Sequence, residues 1–266
     1  MQSEKMCVAL LFGGMSSEHE VSRVSVGNFV NNIDREKYEV ITVGITKAGH
    51  WLYTEATVAQ MADGSWEELP GNMACVISPD RADHGMILFT PEGRVEKLHV
   101  DVVIPVLHGL WGEDGTVQGL LELAGIPYVG CGVLASAVCM DKAVANALFE
   151  ANGVPHTKWL AANRWEIESD LEGVCEGVEK KLGWPVFVKP ANAGSSVGIS
   201  KVSSRDELKK AIALALENDR KVVFEAFVDG QEVECAVIGS DPAVATRPGE
   251  ILAGAEFYTY DDKYKN

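Results

Sequence analysis

Short apolar runs alternating with amphipathic stretches set the pattern of the first 130 residues. CVALLF (7–12) reads as a strand that ends at Gly13-Gly14, and SSEHEVSRVSVGNFVNNI then takes up helical spacing. Ser16 or Ser17 is placed to cap that helix, with Glu20 three residues after Ser17 at a capping-box interval. YEVITVGI (38–45) and VDVVIPVLHG (100–109) read as further strands, the second so uniformly apolar that both of its faces should be covered. VQGLLELAG predicts a helix and IPYVG another strand. Strand and helix in alternation predict a doubly wound parallel sheet. The stretch 60–98, with scattered Gly and Pro, is the least regular part and reads as an inserted hairpin.

From about Ala135 the pattern changes. One helix is predicted through 135–151 and an acidic one near 166–182, followed by a strand, a glycine-serine loop and a strand in WPVFVKPANAGSSVGISKV. Ser204 caps a predicted helix, RDELKKAIALALEN, before strands at KVVFEAFV and QEVECAVIG. This second part is an α+β unit, distinct from the first. No internal repeat or low-complexity segment interrupts it.

Composition narrows the function classes. The 266 residues are 47% hydrophobic and 23% charged, ordinary for a globular protein with a sizeable core. With 23 Lys and Arg against 39 Asp and Glu, the net charge of −16 argues against nucleic-acid or anionic-membrane partners, which need basic patches. A nucleotide needs only a few local lysines and stays open. The six cysteines form no Cys-x-x-Cys pair, and Cys7 and Cys235 fall in apolar runs that read as buried strands, so reduced thiols are expected. No signal-peptide pattern and no apolar run of membrane-spanning length occurs, which predicts a cytoplasmic protein.

Five stretches carry candidate chemistry. In VFVKPANAGSSVGISKV, Lys189 ends a strand and a loop of small residues follows; its N–H groups and hydroxyls suit phosphate oxygens, while an ordinary mobile hairpin explains it equally well. It is not a P-loop, because the G-x-x-x-x-G-K-[ST] order is absent. Glu225 interrupts an apolar strand, where a carboxylate is costly unless paired or ligand-bound. It suits a ribose hydroxyl or an adenine amine, with the backbone of Ala226, Phe227 and Val228 lining the base, or it faces water on an edge strand. Gly13-Gly14 sits at a strand's C-terminal end before a helix N-terminus, where open α/β sheets bind ligands. Glu18 and Glu20 there also answer the helix dipole. His108 ends the third strand before a Gly- and acid-rich loop, as a substrate-contacting residue or a turn histidine. Lys142 opens a helix and either reaches a phosphate or lies on a solvated face; no histidine spacing suits zinc.

Taken together, LFGGMSSEHEVS, HGLWGEDGTVQGLLELAGIPYVGCGVLASAVCMDK, VKPANAGSSVGISKV and EFYTYDDKYKN closely resemble the D-alanine–D-alanine ligase family of the ATP-grasp fold, over essentially the whole chain. The resemblance implies an N-terminal Rossmann-like domain (1–134), an ATP-grasp central subdomain (135–220) and the start of an incomplete C-terminal ATP-grasp subdomain (221–266). It implies that Lys142 and Lys189 hold ATP phosphates, that Ser196 and Lys263 close over them, and that Glu225 with Ala226, Phe227 and Val228 meets adenine while Glu232 binds ribose. Glu18 is expected to fix the ammonium of the first D-alanine in a triad with Ser195 and Tyr264, and His108 to sit near its carboxylate. ATP and magnesium or manganese are the implied cofactors, D-alanine the substrate, and a homodimer the implied assembly. The family's metal-binding segment has no counterpart here, so the metal ligands are expected beyond Asn266 and these 266 residues by themselves are expected not to turn over. A D-alanine–D-serine ligase and a non-catalytic nucleotide- or amino-acid-binding module are the alternatives.

Overall fold

A computed structural model describes residues 5–251, which form two compact units. The first runs to Ala147 and takes in Asn192–Gly194; the second is Leu148–Ala191 with the described residues from Ser195 onward.

The first unit is built on a seven-stranded sheet. In chain order it contains β1 (Met6–Gly13), α1 (His19–Asn32), β2 (Tyr38–Ile45), β3 (Trp51–Thr54), α2 (Val58–Asp63), a 3-10 turn (Ser65–Glu68), β4 (Met73–Ile77), β5 (Gly85–Phe89), β6 (Val95–His99), β7 (Val102–Pro105), α3 (Thr116–Ala124) and α4 (Val133–Met140). The strand order is β6-β5-β4-β3-β2-β1-β7. Parallel pairing is confined to β2-β1-β7, and Val103 makes a further parallel bridge to Tyr128. The irregular stretch 60–98 supplies a 3-10 turn and an antiparallel meander, β4-β5-β6, that extends the sheet through β3. A run of closely spaced turns allows hairpin connections, whereas parallel pairing needs long crossovers.

β1 is covered on both faces, as its apolar run predicts. Cys7, Ala9 and Leu11 join one core with Val43, Met86 and Leu121, while Val8, Leu10 and Phe12 join another with Val26, Met61 and Trp66. Successive strand side chains point to opposite faces, so one uninterrupted apolar strand serves two cores.

The chain continues through α5 (Lys142–Ala151) into β8 (Trp159–Asn163), α6 (Arg164–Ser169), α7 (Leu171–Leu182), β9 (Val186–Pro190), β10 (Ser200–Val202), α8 (Arg205–Asn218) and β11 (Lys221–Ala226). The second unit holds an antiparallel sheet in the order β10-β9-β11-β8. Ser204 caps α8 by accepting from the Glu207 amide. Leu208, Ala211, Ile212 and Ala215, at helical spacing, then pack on Val186, Val188, Val202, Val222 and Phe224 of the sheet. Four two-residue strands follow, β12 (Val233–Glu234), β13 (Val237–Ile238), β14 (Val244–Ala245) and β15 (Gly249–Glu250), paired β12-β15 and β13-β14.

Several local expectations are corrected. The Ser17–Glu20 capping box does not form: Glu18 occupies the N-cap position, Ser16 Oγ accepts its amide, and Glu20 pairs with Lys47. The single helix at 135–151 is broken at Asp141, whose extended backbone and side chain cap α5 through the Ala143 and Val144 amides. The acidic helix at 166–182 is α6 and α7, split where Asp170 caps the second through the Gly173 amide. At both helix breaks a short acidic side chain, Asp141 or Asp170, competes with the helix ladder for backbone N–H groups. Cys7 is buried but Cys235 is exposed; all six cysteines are free thiols.

Candidate functional site

In the second unit, strand alternation sorts the residues of the VFVKP segment. Val186, Val188 and Pro190 are buried, which leaves Phe187 and Lys189 on the opposite face of the sheet. Register places Lys201 and Glu225 directly across from Phe187 on either side. Glu225 is therefore the diagonal neighbour of Lys189, and the two form an ion pair at 2.5 Å with side chains 14% and 22% exposed. Lys201 Nζ lies over the Phe227 ring at 4.0 Å, and the Phe187 and Phe227 rings stand 6.2 Å apart at 43°. A cavity of about 480 Å³ opens over this face, lined among others by Phe187, Lys189, Ser196, Phe227, Val228 and Glu232.

The loop between β9 and β10 has an unusual backbone. Ser195 (φ 45°) and Ser196 (φ 62°) are both left-handed, with Gly198 (φ 70°) close behind. Left-handed backbone at a non-glycine residue costs about 1–3 kcal/mol and concentrates at ligand-binding segments. Such backbone in a turn gathers successive N–H groups into an anion-binding concavity.

Five of the predicted nucleotide residues, Lys189, Ser196, Phe227, Val228 and Glu232, thus line one cavity, and Glu225 joins them through Lys189. Ala226 does not line it. Its amide donates to Lys158 O and its carbonyl accepts from Thr157 Oγ1, so its backbone ties β11 to the segment before β8. The Lys189–Glu225 pair, Lys201 and Phe187 were not singled out from sequence; the period-2 pattern of VFVKP and its pairing with FEAF is the signal that finds them.

In the first unit, α1 presents a polar stripe, Glu18, Ser22 and Ser25, at intervals of four and three, which share one helix face. Glu18 is 4% exposed and Ser22 is fully buried. The stripe meets the segment after β7. Ser22 Oγ donates to Val106 O and accepts from the Gly13 amide. His108 Nε2 lies 3.2 Å from Ser25 Oγ, and the Glu18 carboxylate packs so close to Gly109 that a Cβ there would overlap it. Gly109 (φ 71°) is therefore restricted to glycine by conformation and by space. Ser16 Oγ ties the two segments together, accepting the Glu18 amide and donating to His108 O at 2.7 Å.

The Gly13-Gly14 turn, with φ of 86° and 97°, is held by Gly14 N–H to Ile45 O and by His19 Nδ1 at 2.7 Å from Gly14 O. Beside it lies a cavity of about 240 Å³ walled by Gly13, Gly14, Trp51, Leu107, His108 and Trp111, among others. Glu18 and His108 are thus brought together around Ser16. Lys142, at the start of α5, donates to Ala193 O of the glycine-serine segment. Ser195 sits in the strained loop but not on the wall of the nucleotide-sized cavity. Lys263 and Tyr264 lie outside the described residues.

Among the described residues, no group of three or more His, Cys, Asp or Glu side chains is gathered to hold a metal. The described residues thus do not fit a protein-held magnesium site.

A small-residue loop with left-handed serines, a lysine at the strand end and an aromatic-lined slot on an antiparallel sheet, preceded in the chain by an α/β unit with a mixed sheet, point to the ATP-grasp class of ligases. Residues 7–131 match the family described as "D-ala D-ala ligase N-terminus" and residues 148–266 the one described as "D-ala D-ala ligase C-terminus". The chain is 48% identical to a D-alanine–D-alanine ligase of Acetivibrio thermocellus, over 98% of this chain and 72% of that protein. To the one of Ruminiclostridium cellulolyticum it is 47% identical, over 98% and 71%. Among solved structures it superposes on the VanG D-Ala:D-Ser ligase of Enterococcus faecalis with TM-score 0.86 and 38% identity, covering 99% of this chain and 74% of that one. It superposes on the D-alanine–D-alanine ligase of Coxiella burnetii with TM-score 0.82 and 33% identity, covering 93% and 71%. The chain belongs to the D-alanine–D-alanine ligase family.

Proposed function

We propose that this protein joins two D-alanines in an ATP-dependent reaction, making D-alanyl-D-alanine for peptidoglycan precursors. Family membership over both parts of the chain supports the reaction, and the Lys189-centred cavity is the single observation that carries the nucleotide role. The γ-phosphoryl group of ATP passes to a carboxylate oxygen of the first D-alanine, giving ADP and an acyl phosphate. The amine of the second D-alanine then attacks the acyl carbon and expels phosphate. Positioning and charge do most of the work in such a transfer.

In this reading Lys189, Lys142 and the N–H groups around Ser196 hold phosphates, with Lys263 closing over them. Phe227 and Val228 border the base, with Glu225 orienting Lys189 and meeting the adenine amine, and Glu232 takes the ribose. Glu18 binds the ammonium of the first D-alanine, with Ser195 and Tyr264 as its partners, and His108 stands by the carboxylate. ATP is used with magnesium or manganese. The segments 1–134, 135–220 and 221–266 serve as N-terminal, central and C-terminal parts.

We take the protein to be cytoplasmic, where ATP is available; among the described residues no helix is long and apolar enough to cross a membrane. A homodimer is proposed as the working assembly, and light scattering of the purified protein checks it. The likeness to VanG keeps D-serine as a second reading for the attacking amine. Product analysis with D-alanine, D-serine and D-lactate offered together to the protein from its complete reading frame tests the proposal. D-alanyl-D-alanine is the expected main product, a mixed D-alanyl-D-serine product would favour the second reading, and no ATP-dependent product would overturn both.

A further inference from the structure

The polar stripe on α1 does more than close a core. Glu18 and Ser22 spend their polar groups on backbone or on the proposed substrate pocket, but Ser25 reaches a side chain, the imidazole of His108, 83 residues away in sequence. The two groups are half-buried. The main chain of His108 is fixed separately by Ser16 Oγ, and the Gly109 amide that follows donates to Glu113 Oε2 at 2.7 Å. With the backbone held on both sides, the ring keeps only its own side-chain rotations. The contact at Nε2 removes that freedom and leaves Nδ1 as the nitrogen with no partner among the described residues, on a ring that lines the 240 Å³ cavity beside Gly13-Gly14.

We infer that Ser25 is a positioning residue that orients the His108 imidazole, so that Nδ1 is the nitrogen offered to the first D-alanine. A hydroxyl can donate to Nε2 or accept from it, so the contact fixes which edge of the ring faces α1 in either neutral tautomer, and the tautomer then decides whether Nδ1 donates or accepts. The substrate half of this inference rests on the ligase reading; the orientation half does not. A serine that only filled space on α1 would be replaced by alanine without consequence for His108.

Long-range ¹H–¹⁵N correlation of the imidazole resonances in full-length protein, wild type against Ser25→Ala and Ser25→Thr, reads the orientation directly. Ser25→Ala, which removes the partner of Nε2, is expected to shift the His108 imidazole ¹⁵N signals, and Ser25→Thr, which keeps the hydroxyl, to retain them. Steady-state kinetics on the same proteins should show Ser25→Ala raising the KM for the first D-alanine about fivefold, the worth of one net hydrogen bond, with the KM for ATP unchanged. In a His108→Asn background, Ser25→Ala should add nothing. Unchanged imidazole signals in Ser25→Ala, or a kinetic effect that persists without His108, would overturn the inference. Full-length protein that makes no dipeptide at all would instead overturn the ligase reading, with the imidazole spectra still deciding the orientation.

Discussion

Lys189 holds two jobs, and a pair of substitutions separates them. Lys189→Met removes the cation that pairs with the Glu225 carboxylate, whose side chain is only 14% exposed. Breaking a fully buried pair from one side costs about 3–5 kcal/mol. Here Lys189 is 22% exposed, so water reaches the site and the expected loss is nearer 2–3 kcal/mol of unfolding free energy. Adding Glu225→Gln removes the carboxylate's charge as well, and replacing both partners by neutral groups of similar shape is close to neutral. The double variant should therefore recover to within about 1 kcal/mol of wild type in urea titrations. Nucleotide affinity should behave differently. A charge-assisted phosphate contact is worth about 1.5–3 kcal/mol, so calorimetry with a non-hydrolysable ATP analogue should show roughly tenfold to hundredfold weaker binding by Lys189→Met. That loss should persist in the double variant. Affinity restored together with stability would mean that Lys189 serves the sheet alone and would remove it from the phosphate site.

The protein from the complete reading frame offers three further checks. A Cβ at Gly44 would overlap the ring of the fully buried Trp66, which stacks edge-on against Phe12 at 4.8 Å; Gly44→Ala should cost about 1–3 kcal/mol by overpacking, and a double-mutant cycle with Trp66→Phe should show partial rescue. The Cys7 amide holds the Asp101 carboxyl below the usual carboxylate range, with His99 adding to it. Its charge therefore stabilises the fold above the unfolded-state pKa of about 3.9, and that contribution is lost as pH falls through the lower folded value. Asp101→Asn should lower stability at neutral pH and flatten the acid limb of a stability–pH curve; parallel curves would contradict this. Burial pushes the Cys75 thiol up to about 12, and burial with Glu39 and Asp101 pushes Cys7 to about 11. Thiol titration of native protein at pH 8 should accordingly label Cys131, Cys139 and Cys235 first, with Cys7, Cys75 and Cys175 reacting only on unfolding.

What the sequence determined by itself is local. The apolar run of β1, the glycine turn after it, the Ser204 cap and the helical spacing of α8 are legible because each closes its hydrogen bonds within a few residues. Motif wording, in LFGGMSSEHEVS and VKPANAGSSVG above all, carried the family. Where two local signals competed the reading went astray: Asp141 and Asp170 look like ordinary helix residues until their side chains are seen to take backbone N–H groups and start new helices. Tertiary structure alone decided the rest. Nothing in the pattern of β3 to β6 distinguishes antiparallel extension of the sheet from an inserted hairpin, because the alternation that fits a strand to a face does not name its neighbour. The same holds at the site. Lys189 meets Glu225 across 36 residues and His108 meets Ser25 across 83, contacts set by strand register and by one helix packing against one loop. Residue types announce which chemistry is possible; which groups share a cavity follows only from long-range packing.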